Sequence, residues 1–257
     1  MNPAPGLFQV PWQEYIPALG DGLLRSLGYT AAGFAGAVLV GLGVALLRIS
    51  QRKLLRIPAA VYTELFKNIP LLAIIFITYF GLASIGMRLD AFQAGTLSLV
   101  IFYGAYLSEI FRSALLGVHP GQREAGQALG LGPTVTFTGI IFPQALRLAL
   151  PGTGTMLVDL LKSTSLLVVI SAAELMSQAQ LIASETFRAL EVYIVISAIY
   201  FVVCYPLSQL VLRLERRVQA GAPLSLGRHR RLAQARALLA AADAGAAKSM
   251  PYSEVKP

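Results

Sequence analysis

Apolar residues gather in long blocks along the chain instead of alternating or recurring at helical spacing. Five stretches are long and apolar enough to cross a membrane: about 22–47, 69–87, 92–117, 153–174 and 192–212. A transmembrane helix needs roughly 20 mostly apolar residues at about 1.5 Å each. The pattern therefore predicts an all-α integral membrane protein with five transmembrane helices. The fourth stretch is unusual because it contains Asp159 and Lys162.

The composition supports this interpretation, since 56% of the 257 residues are hydrophobic and only 13% are charged. In soluble domains about a quarter of the residues are charged. The single cysteine, Cys204, lies inside an apolar stretch. It excludes a disulfide framework and a cysteine metal cluster.

Basic residues are concentrated on one side of the predicted membrane. They are Arg48, Arg52, Lys53, Arg56, Lys67, Arg112, Arg123, Arg147, Arg213, Arg216, Arg217, Arg228, Arg230, Arg231 and Arg236. The opposite side carries only Arg25, Arg88 and Arg188. The positive-inside rule therefore predicts an extracytoplasmic amino terminus and a cytoplasmic carboxyl terminus. The net charge of +8 reflects this topology and not a nucleic-acid partner, because no basic face with interleaved aromatic residues occurs.

The boundaries of the apolar stretches divide the chain into three regions. Residues 1–21 form an extracytoplasmic segment without Lys or Arg, which is not a cleavable signal peptide. Residues 22–217 form the transmembrane domain, and residues 218–257 form a basic, Ala-rich cytoplasmic tail. The tail is either an amphipathic helix on the anionic inner leaflet or a disordered segment.

The longest internal connection, about residues 118–151, is predicted to face the cytoplasm. Its last part, "FTGIIFPQALRLALP", is bounded by Pro143 and Pro151. We expect it to return the chain to the bilayer as a separate amphipathic piece that is too short to span.

Motifs of catalytic chemistry are absent from the sequence. The chain has no G-x-x-x-x-G-K-[ST] phosphate loop, no H-E-x-x-H and no G-x-S-x-G. Its two histidines, His119 and His229, lie far apart and lack partners at metal-ligand spacing. The sequence thus predicts a conduit or a membrane anchor that is not an enzyme and holds no metal or cofactor.

One motif in the long connection is specific. Glu124, Ala125 and Gly126 are followed after three residues by Gly130, and after nine more by "IIFP", which ends at Pro143. This spacing resembles the E-A-A-x3-G-x9-I-x-L-P signature of the permease subunits of ABC-type importers. Gly126 in place of the second Ala and Phe142 in place of Leu are the two departures.

Four further blocks extend the resemblance from about residue 22 to residue 217. They are "VYTELFKNIPLLAIIFITYFGL", "GAYLSEIFRSALLGVHPGQREAGQALGL", "LLKSTSLLVVISAAELM" and "ASETFRALEVYIVISAIYF". Each is similar to a block of the importers for polar amino acids such as histidine, glutamine, arginine or glutamate.

The resemblance implies a MetI-like permease of the bacterial inner membrane, with a cytoplasmic coupling helix that contacts an ATPase subunit. Its implied partners are a second permease, the same or similar, two ATP-binding subunits and an extracytoplasmic amino-acid-binding protein. ATP and Mg would be bound by the ATPase subunits and not by this chain.

The motif residues suit a coupling helix on physical grounds. Glu124 lies near a helix start, where a carboxylate complements the helix dipole. Ala125 and Gly126 are small enough for a partner to approach closely, and Gly130 fits a helix end or a positive φ. An ordinary capped surface helix is the alternative.

The charged residues of the fourth stretch are candidates for the substrate path. Charges within a membrane span cost about 2.5–3.5 kcal/mol on insertion scales. Three alternatives follow for these two residues. Asp159 and Lys162 form a buried pair, or Lys162 reaches for the inner interface, or Asp159 faces the path and meets an amino or guanidinium group of the substrate. The hydroxyls of Thr164 and Ser165 either line the path or bond back to the helix backbone. Glu109 and Arg112 are expected to form an ion pair near a helix end.

Three alternative functions follow from the same features. The first is an ABC permease for another solute, such as methionine or an opine. The second is an ATP-independent secondary transporter, which predicts internally repeated halves that the sequence does not display. The third is a membrane anchor without transport.

Overall fold

The computed structural model describes residues 10–219, and these residues are helical without a β-strand. The α-helices are α1 (Trp12–Arg48), α2 (Lys53–Asn68), α3 (Leu71–Phe76), α4 (Leu82–Ser84), α5 (Ala91–Leu116), α6 (Gly121–Ala128), α7 (Pro133–Thr136), α8 (Phe142–Ser163), α9 (Leu175–Thr186) and α10 (Ala189–Gln219). Single π-helical turns, Ile77–Gly81 and Phe137–Ile141, connect α3 to α4 and α7 to α8. A 3-10 helix, Thr164–Ile170, continues α8. The all-α prediction is confirmed.

Four helical runs are long and apolar enough to cross a membrane by length and composition: Trp12–Arg48, Ala91–Leu116, Pro133–Ile170 and Ala189–Arg217. The count becomes five if Lys53–Asn68 and Leu71–Ser84, which meet at an angle of 108°, form one broken span. The predicted third stretch coincides with α5. The first helix begins at Trp12 and not near residue 22, so the predicted extracytoplasmic segment contains its first turns.

The bend between α2 and α3 occurs at Pro70. This residue has no backbone N–H to donate and holds the extended conformation that precedes α3. Two hydroxyl contacts attach α2 to the middle of α5. The Tyr62 hydroxyl donates to the Ile101 carbonyl at 2.8 Å, and Thr63 and Ser108 share a hydrogen bond of 2.9 Å. The predicted stretch 69–87 corresponds to α3, the π-helical turn and α4, and the sequence did not predict the helix α2 before the bend.

Small residues bring α1 and α5 into close contact. Buried residues recur every fourth position along α1, as Gly33, Ala37, Gly41 and Ala45. A Cβ atom at Gly41 would lie 2.7 Å from the Leu107 Cβ and 3.1 Å from the Gly104 carbonyl oxygen. Small residues at this spacing allow the backbones of membrane helices to approach. This packing positions the fully buried side chains of the core, which include Leu99, Tyr103, Leu107 and Leu160.

The fourth crossing corrects the sequence prediction at both ends. The segment between Pro143 and Pro151 is not a separate short piece, because helical structure runs from Pro133 to Ile170, with a π-helical turn before α8 and a 3-10 helix after it. Pro143 lies in the first turn of α8, where a missing N–H costs little. Beyond Ile170 the chain turns at Ser171, whose φ is 52°, and a separate helix, α9, follows. The predicted stretch 153–174 thus began too late and did not anticipate α9.

The predicted tail, 218–257, lies outside the described residues except for the last two residues of α10. Residues 1–9 also lie outside them.

Candidate translocation and coupling sites

The predicted coupling helix corresponds to α6. It begins after Pro120, and Glu124 occupies its first turn with an exposed side chain. Ala125 is exposed as well, and Leu129, which follows the helix, is 75% exposed. Gly130 ends the segment with a φ of 70°, as the sequence predicted. The exposed residues of α6 therefore combine one acidic and one basic side chain, Glu124 and Arg123, with two glutamines and two alanines.

Gly126 has a different environment from the one predicted. It is buried and faces Thr136 of α7, inside the chain, instead of an external partner. A Cβ atom at this position would lie 2.7 Å from both Thr136 Oγ1 and Thr136 Cγ2. An alanine at this position would therefore require Thr136 to move. A further contact, from Gln144 Nε2 to Gln122 Oε1 at 3.2 Å, joins α6 to α8.

An ion cluster joins the ends of α1 and α5. Glu109 accepts from Arg48 through one carboxylate oxygen and from Arg112 through the other. The predicted ion pair between Glu109 and Arg112 is present, and Arg48 extends it to the neighbouring helix. Because the arginine side chains are only 11% and 29% exposed, the shared carboxylate neutralises charge at a site that water reaches poorly.

The two charged residues of α8 that are candidates for the substrate path do not form a buried pair. Asp159 and Lys162 are both exposed, and neither makes an ion pair within the described residues. The hydroxyl of Tyr103 on α5 donates to Asp159 Oδ2 at 2.8 Å and hydrogen-bonds Ser163 Oγ at 2.7 Å. The buried-pair interpretation was wrong, because Tyr103 takes the place of Lys162 as the partner of the carboxylate.

The hydroxyls of Thr164 and Ser165 bond back to the backbone. Thr164 Oγ1 donates to the Leu161 carbonyl and Ser165 Oγ to the Lys162 carbonyl, both at 2.8 Å. Thr164 is fully buried, whereas Ser165 is half-buried. This geometry agrees with the backbone-bonding alternative and leaves Asp159 and Lys162 as the open polar groups of the four candidates.

Glu174 is a buried acid that sequence reasoning did not select. Its carboxylate caps α9 by accepting from the N–H groups of Met176 at 2.8 Å and Ser177 at 2.7 Å, and it lies 3.4 Å from the Tyr200 hydroxyl. The adjacent Leu175 N–H donates to Ser26 Oγ of α1 at 3.1 Å. The pKa of Glu174 is raised above its usual value, because burial raises it by more than the hydrogen bonds from Met176 and Ser177 lower it. A capping acid before an apolar run was the available sequence signal, although Ser, Thr, Asp and Asn are commoner N-caps.

Residues 37–220 match the family described as binding-protein-dependent transport system inner membrane component, and the chain belongs to this family. It is thus a membrane-embedded subunit of a transport system. The chain is similar to the probable glutamine ABC transporter permease protein GlnM of Bacillus subtilis, with 38% identity over 77% of this chain and 92% of the relative. It is also similar to the glutamine transport system permease protein GlnP of Escherichia coli, with 37% identity over 79% of this chain and 94% of the relative.

Solved structures agree with this assignment. A crystal structure of an amino acid ABC transporter with histidines matches with a TM-score of 0.77 and 36% identity, covering 84% of this chain and all of that chain. An inward-facing MetNI methionine ABC transporter matches with a TM-score of 0.69, covering 80% of this chain and 98% of that chain. Its identity is only 18%, so it bears on the fold alone. The family excludes the secondary transporter and the simple anchor.

Proposed function

We propose that this chain is the permease subunit of an ATP-driven importer for polar amino acids. The observation that supports this proposal most strongly is the 37–38% identity of the chain to proteins named as glutamine permeases, along nearly the full length of those relatives. The methionine and opine alternatives have weaker support, since the match to the methionine transporter has 18% identity. No ATP-binding motif occurs in the sequence, so ATP and Mg belong to partner subunits.

The importer contains a second permease, the same or similar, two ATPase subunits and an extracytoplasmic amino-acid-binding protein. The amino terminus lies outside and the carboxyl terminus in the cytoplasm, which the distribution of Lys and Arg supports. In this orientation α6 and the ion cluster of Arg48, Glu109 and Arg112 lie at the inner side.

The contact between Gly126 and Thr136 makes α6 a coupling element. Movement of an ATPase subunit against the exposed face of α6 reaches the helical run Pro133–Ile170 through this close contact. Asp159 and Lys162, the charged candidates for the substrate path, lie on this run. Displacement of the run therefore moves the side chains that line the path. The chain thus acts as a two-state element that ATP binding and hydrolysis in the partners bias.

Substitutions in α6 test this proposal in the purified complex, reconstituted in liposomes with its binding protein. Glu124→Lys reverses the charge of that exposed side chain, and Gly130→Pro is incompatible with a φ of 70°. We expect both variants to lose co-purifying ATPase and uptake of radiolabelled glutamine, histidine and arginine. Asp21→Lys reverses an exposed charge in the outer part of α1 and serves as the matched control.

The control should retain ATPase binding and uptake. If Glu124→Lys and Gly130→Pro both keep wild-type ATPase binding and amino-acid uptake, the coupling proposal is wrong. Uptake of none of the amino acids by an active wild-type complex would contradict the substrate class instead.

A further inference from the structure

The helix α2 exposes a row of apolar side chains on the face opposite its buried residues. Four of them recur at intervals of three, four and four residues and are between 49% and 89% exposed: Leu54, Ile57, Val61 and Leu65. At about 3.6 residues per turn this spacing places them on one face. Ala59 and Thr63 are buried on the opposite face, where Thr63 hydrogen-bonds Ser108 of α5. The α2 stripe, as we call the four exposed residues, is therefore turned away from α5.

Three basic side chains lie at the start of the same helix. Arg52 precedes α2, and Lys53 and Arg56 belong to its beginning. All three are exposed, and none makes an ion pair in the part of the chain that the structure describes. The first turn of α2 contains no acidic residue that could compensate them. By contrast, Lys67 at the other end of the helix lies 3.6 Å from Glu64, so the uncompensated positive charge is concentrated at one end.

The helix α2 lies across α5 and not alongside it. Three hydrogen bonds join the two helices: from Tyr62 to the Ile101 carbonyl, between Thr63 and Ser108, and from Tyr106 to the Lys67 carbonyl. Tyr62 and Thr63 are adjacent, but their partners are seven residues apart, which is about 10 Å along α5. The partner of Lys67 lies between those two, so the contacts do not advance along α5 as α2 proceeds. Because α5 crosses the membrane, α2 extends sideways from it and the α2 stripe faces lipid.

We propose that α2 docks onto anionic phospholipids of the inner leaflet. The lipid phosphates bind Arg52, Lys53 and Arg56, and the acyl chains pack along the α2 stripe. A helix with an apolar face and basic residues beside it binds an anionic membrane surface through both features. The inference rests on the orientation given in the proposed function, which places these three cations at the cytoplasmic side.

Charge and hydrophobicity together select this occupant. An acidic soluble protein would compensate the cations but would leave the α2 stripe without an apolar neighbour. A neutral lipid would cover the stripe but would leave the cations uncompensated near the bilayer, where unpaired charge is costly. An anionic phospholipid supplies acyl chains and a phosphate in one molecule, and the long side chains of arginine and lysine can extend to the depth of its headgroup.

Photo-crosslinking in the whole complex identifies what covers the α2 stripe. The photoreactive residue p-benzoylphenylalanine replaces Ile57, and the complex of permease and ATPase subunits is placed in nanodiscs of phosphatidylcholine with phosphatidylglycerol as the minor component. Mass spectrometry then gives the ratio of phosphatidylglycerol to phosphatidylcholine adducts. We expect this ratio to exceed that of the bilayer about fivefold or more, on the scale of about 1 kcal/mol per basic residue near an anionic surface. The same probe at Phe201, an exposed residue of α10, should report the bilayer ratio.

Removal of the three charges should abolish the enrichment of phosphatidylglycerol. With the probe at position 57, both lipids should crosslink in the bilayer ratio in the variant that combines Arg52→Gln, Lys53→Gln and Arg56→Gln. The matched control removes three exposed cations of α10 and should keep the enrichment: Arg213→Gln, Arg216→Gln and Arg217→Gln. High salt should also reduce the enrichment when all basic residues are intact, which is a readout that needs no charge variant.

A bilayer ratio at position 57 with the cations intact would overturn the inference, as would enrichment that survives in the α2 variant or is lost equally in the α10 control. A crosslink to an ATPase subunit or to the second permease would also overturn it, because a protein would then cover the α2 stripe. The proposed function has a separate readout in the same nanodiscs. If amino-acid-stimulated ATPase activity with the binding protein persists while the lipids crosslink in the bilayer ratio, the function stands and this docking surface is wrong. Absence of that stimulation in the wild type would contradict the function itself.

Discussion

Gly126 of α6 packs so closely on Thr136 of α7 that a Cβ atom would lie 2.7 Å from the threonine hydroxyl. The contact lies at the base of the predicted coupling helix. A backbone held this closely transmits displacement with little slack, because packed side chains deform poorly. The close approach of α6 to α7 thus depends on the absence of a side chain at Gly126.

Gly126→Ala should displace α6 and weaken coupling. Overpacking of this kind costs about 1–3 kcal/mol. We expect reduced transport per ATP hydrolysed in reconstituted liposomes, with the permease still folded. Thr136→Ala should restore coupling in the double variant, since it removes the opposing atoms. Gly139→Ala is the control, because no atom of the described chain lies within 4 Å of that Cβ position. A wild-type coupling ratio in Gly126→Ala would contradict the prediction.

Gly41→Val should destabilise the whole transmembrane domain. The added side chain meets Leu107 Cβ at 2.7 Å and the Gly104 carbonyl oxygen at 3.1 Å, and a backbone oxygen cannot rotate away. The expected loss is about 1–3 kcal/mol or more, seen as a lower melting temperature of the detergent-solubilised protein.

Gly43→Val on the same helix is the matched control for Gly41→Val, since no described atom lies within 4 Å of its Cβ position. Equal melting temperatures for the two variants would show that helix propensity, and not the contact between α1 and α5, determines the effect.

Glu174→Ala should loosen α9. The substitution leaves the N–H groups of Met176 and Ser177 without their acceptor, and an unsatisfied buried group costs about 1–3 kcal/mol. We expect faster hydrogen exchange in α9, together with a lower melting temperature. Glu185→Ala removes a carboxylate whose hydrogen bond, with Tyr15, is exposed, and should have a much smaller effect. Slow exchange of the α9 amides in Glu174→Ala would refute the capping role.

Glu109→Gln should destabilise the contact between the C-terminal end of α1 and α5. Two arginines then lie together without the carboxylate that they share, at a cost of about 1–3 kcal/mol. Raising the salt concentration should recover part of the loss by screening the repulsion. Glu64→Gln is the comparison, because Glu64 is 62% exposed and lies 3.6 Å from Lys67. Such surface pairs contribute about 0–1 kcal/mol, so equal losses in melting temperature would argue against a special role for the cluster.

The coupling segment shows how far sequence reasoning reaches. The spacing from Glu124 to Pro143 identified the segment, and residue type predicted either a helix end or a positive φ at Gly130, whose φ is 70°. The direction of Gly126 was predicted wrongly, because a motif indicates which residues are small and not which neighbour they contact. The neighbour, Thr136, is the last residue of α7, and only the packing of α7 on α6 brings it next to Gly126.

The path residues show the same division. The cost of charge in a membrane span selected Asp159 and Lys162 from the sequence, but the spacing favoured a pair between them as much as an open site. Tyr103 decides between these alternatives, and it lies 56 residues away along the chain. No local pattern reports a hydrogen bond of that separation.

By itself, the amino-acid sequence determined the helical class, the approximate positions of the apolar spans and the family. These properties depend on hydrophobicity summed over a window and on spacing within short segments. Only the tertiary structure decided that the chain bends at Pro70, that helical structure is continuous from Pro133 to Ile170, that α9 is a separate helix capped by Glu174, and that Asp159 bonds to Tyr103. Each of these depends on contacts between residues distant in the chain, where the balance of packing and hydrogen bonding outweighs local preference.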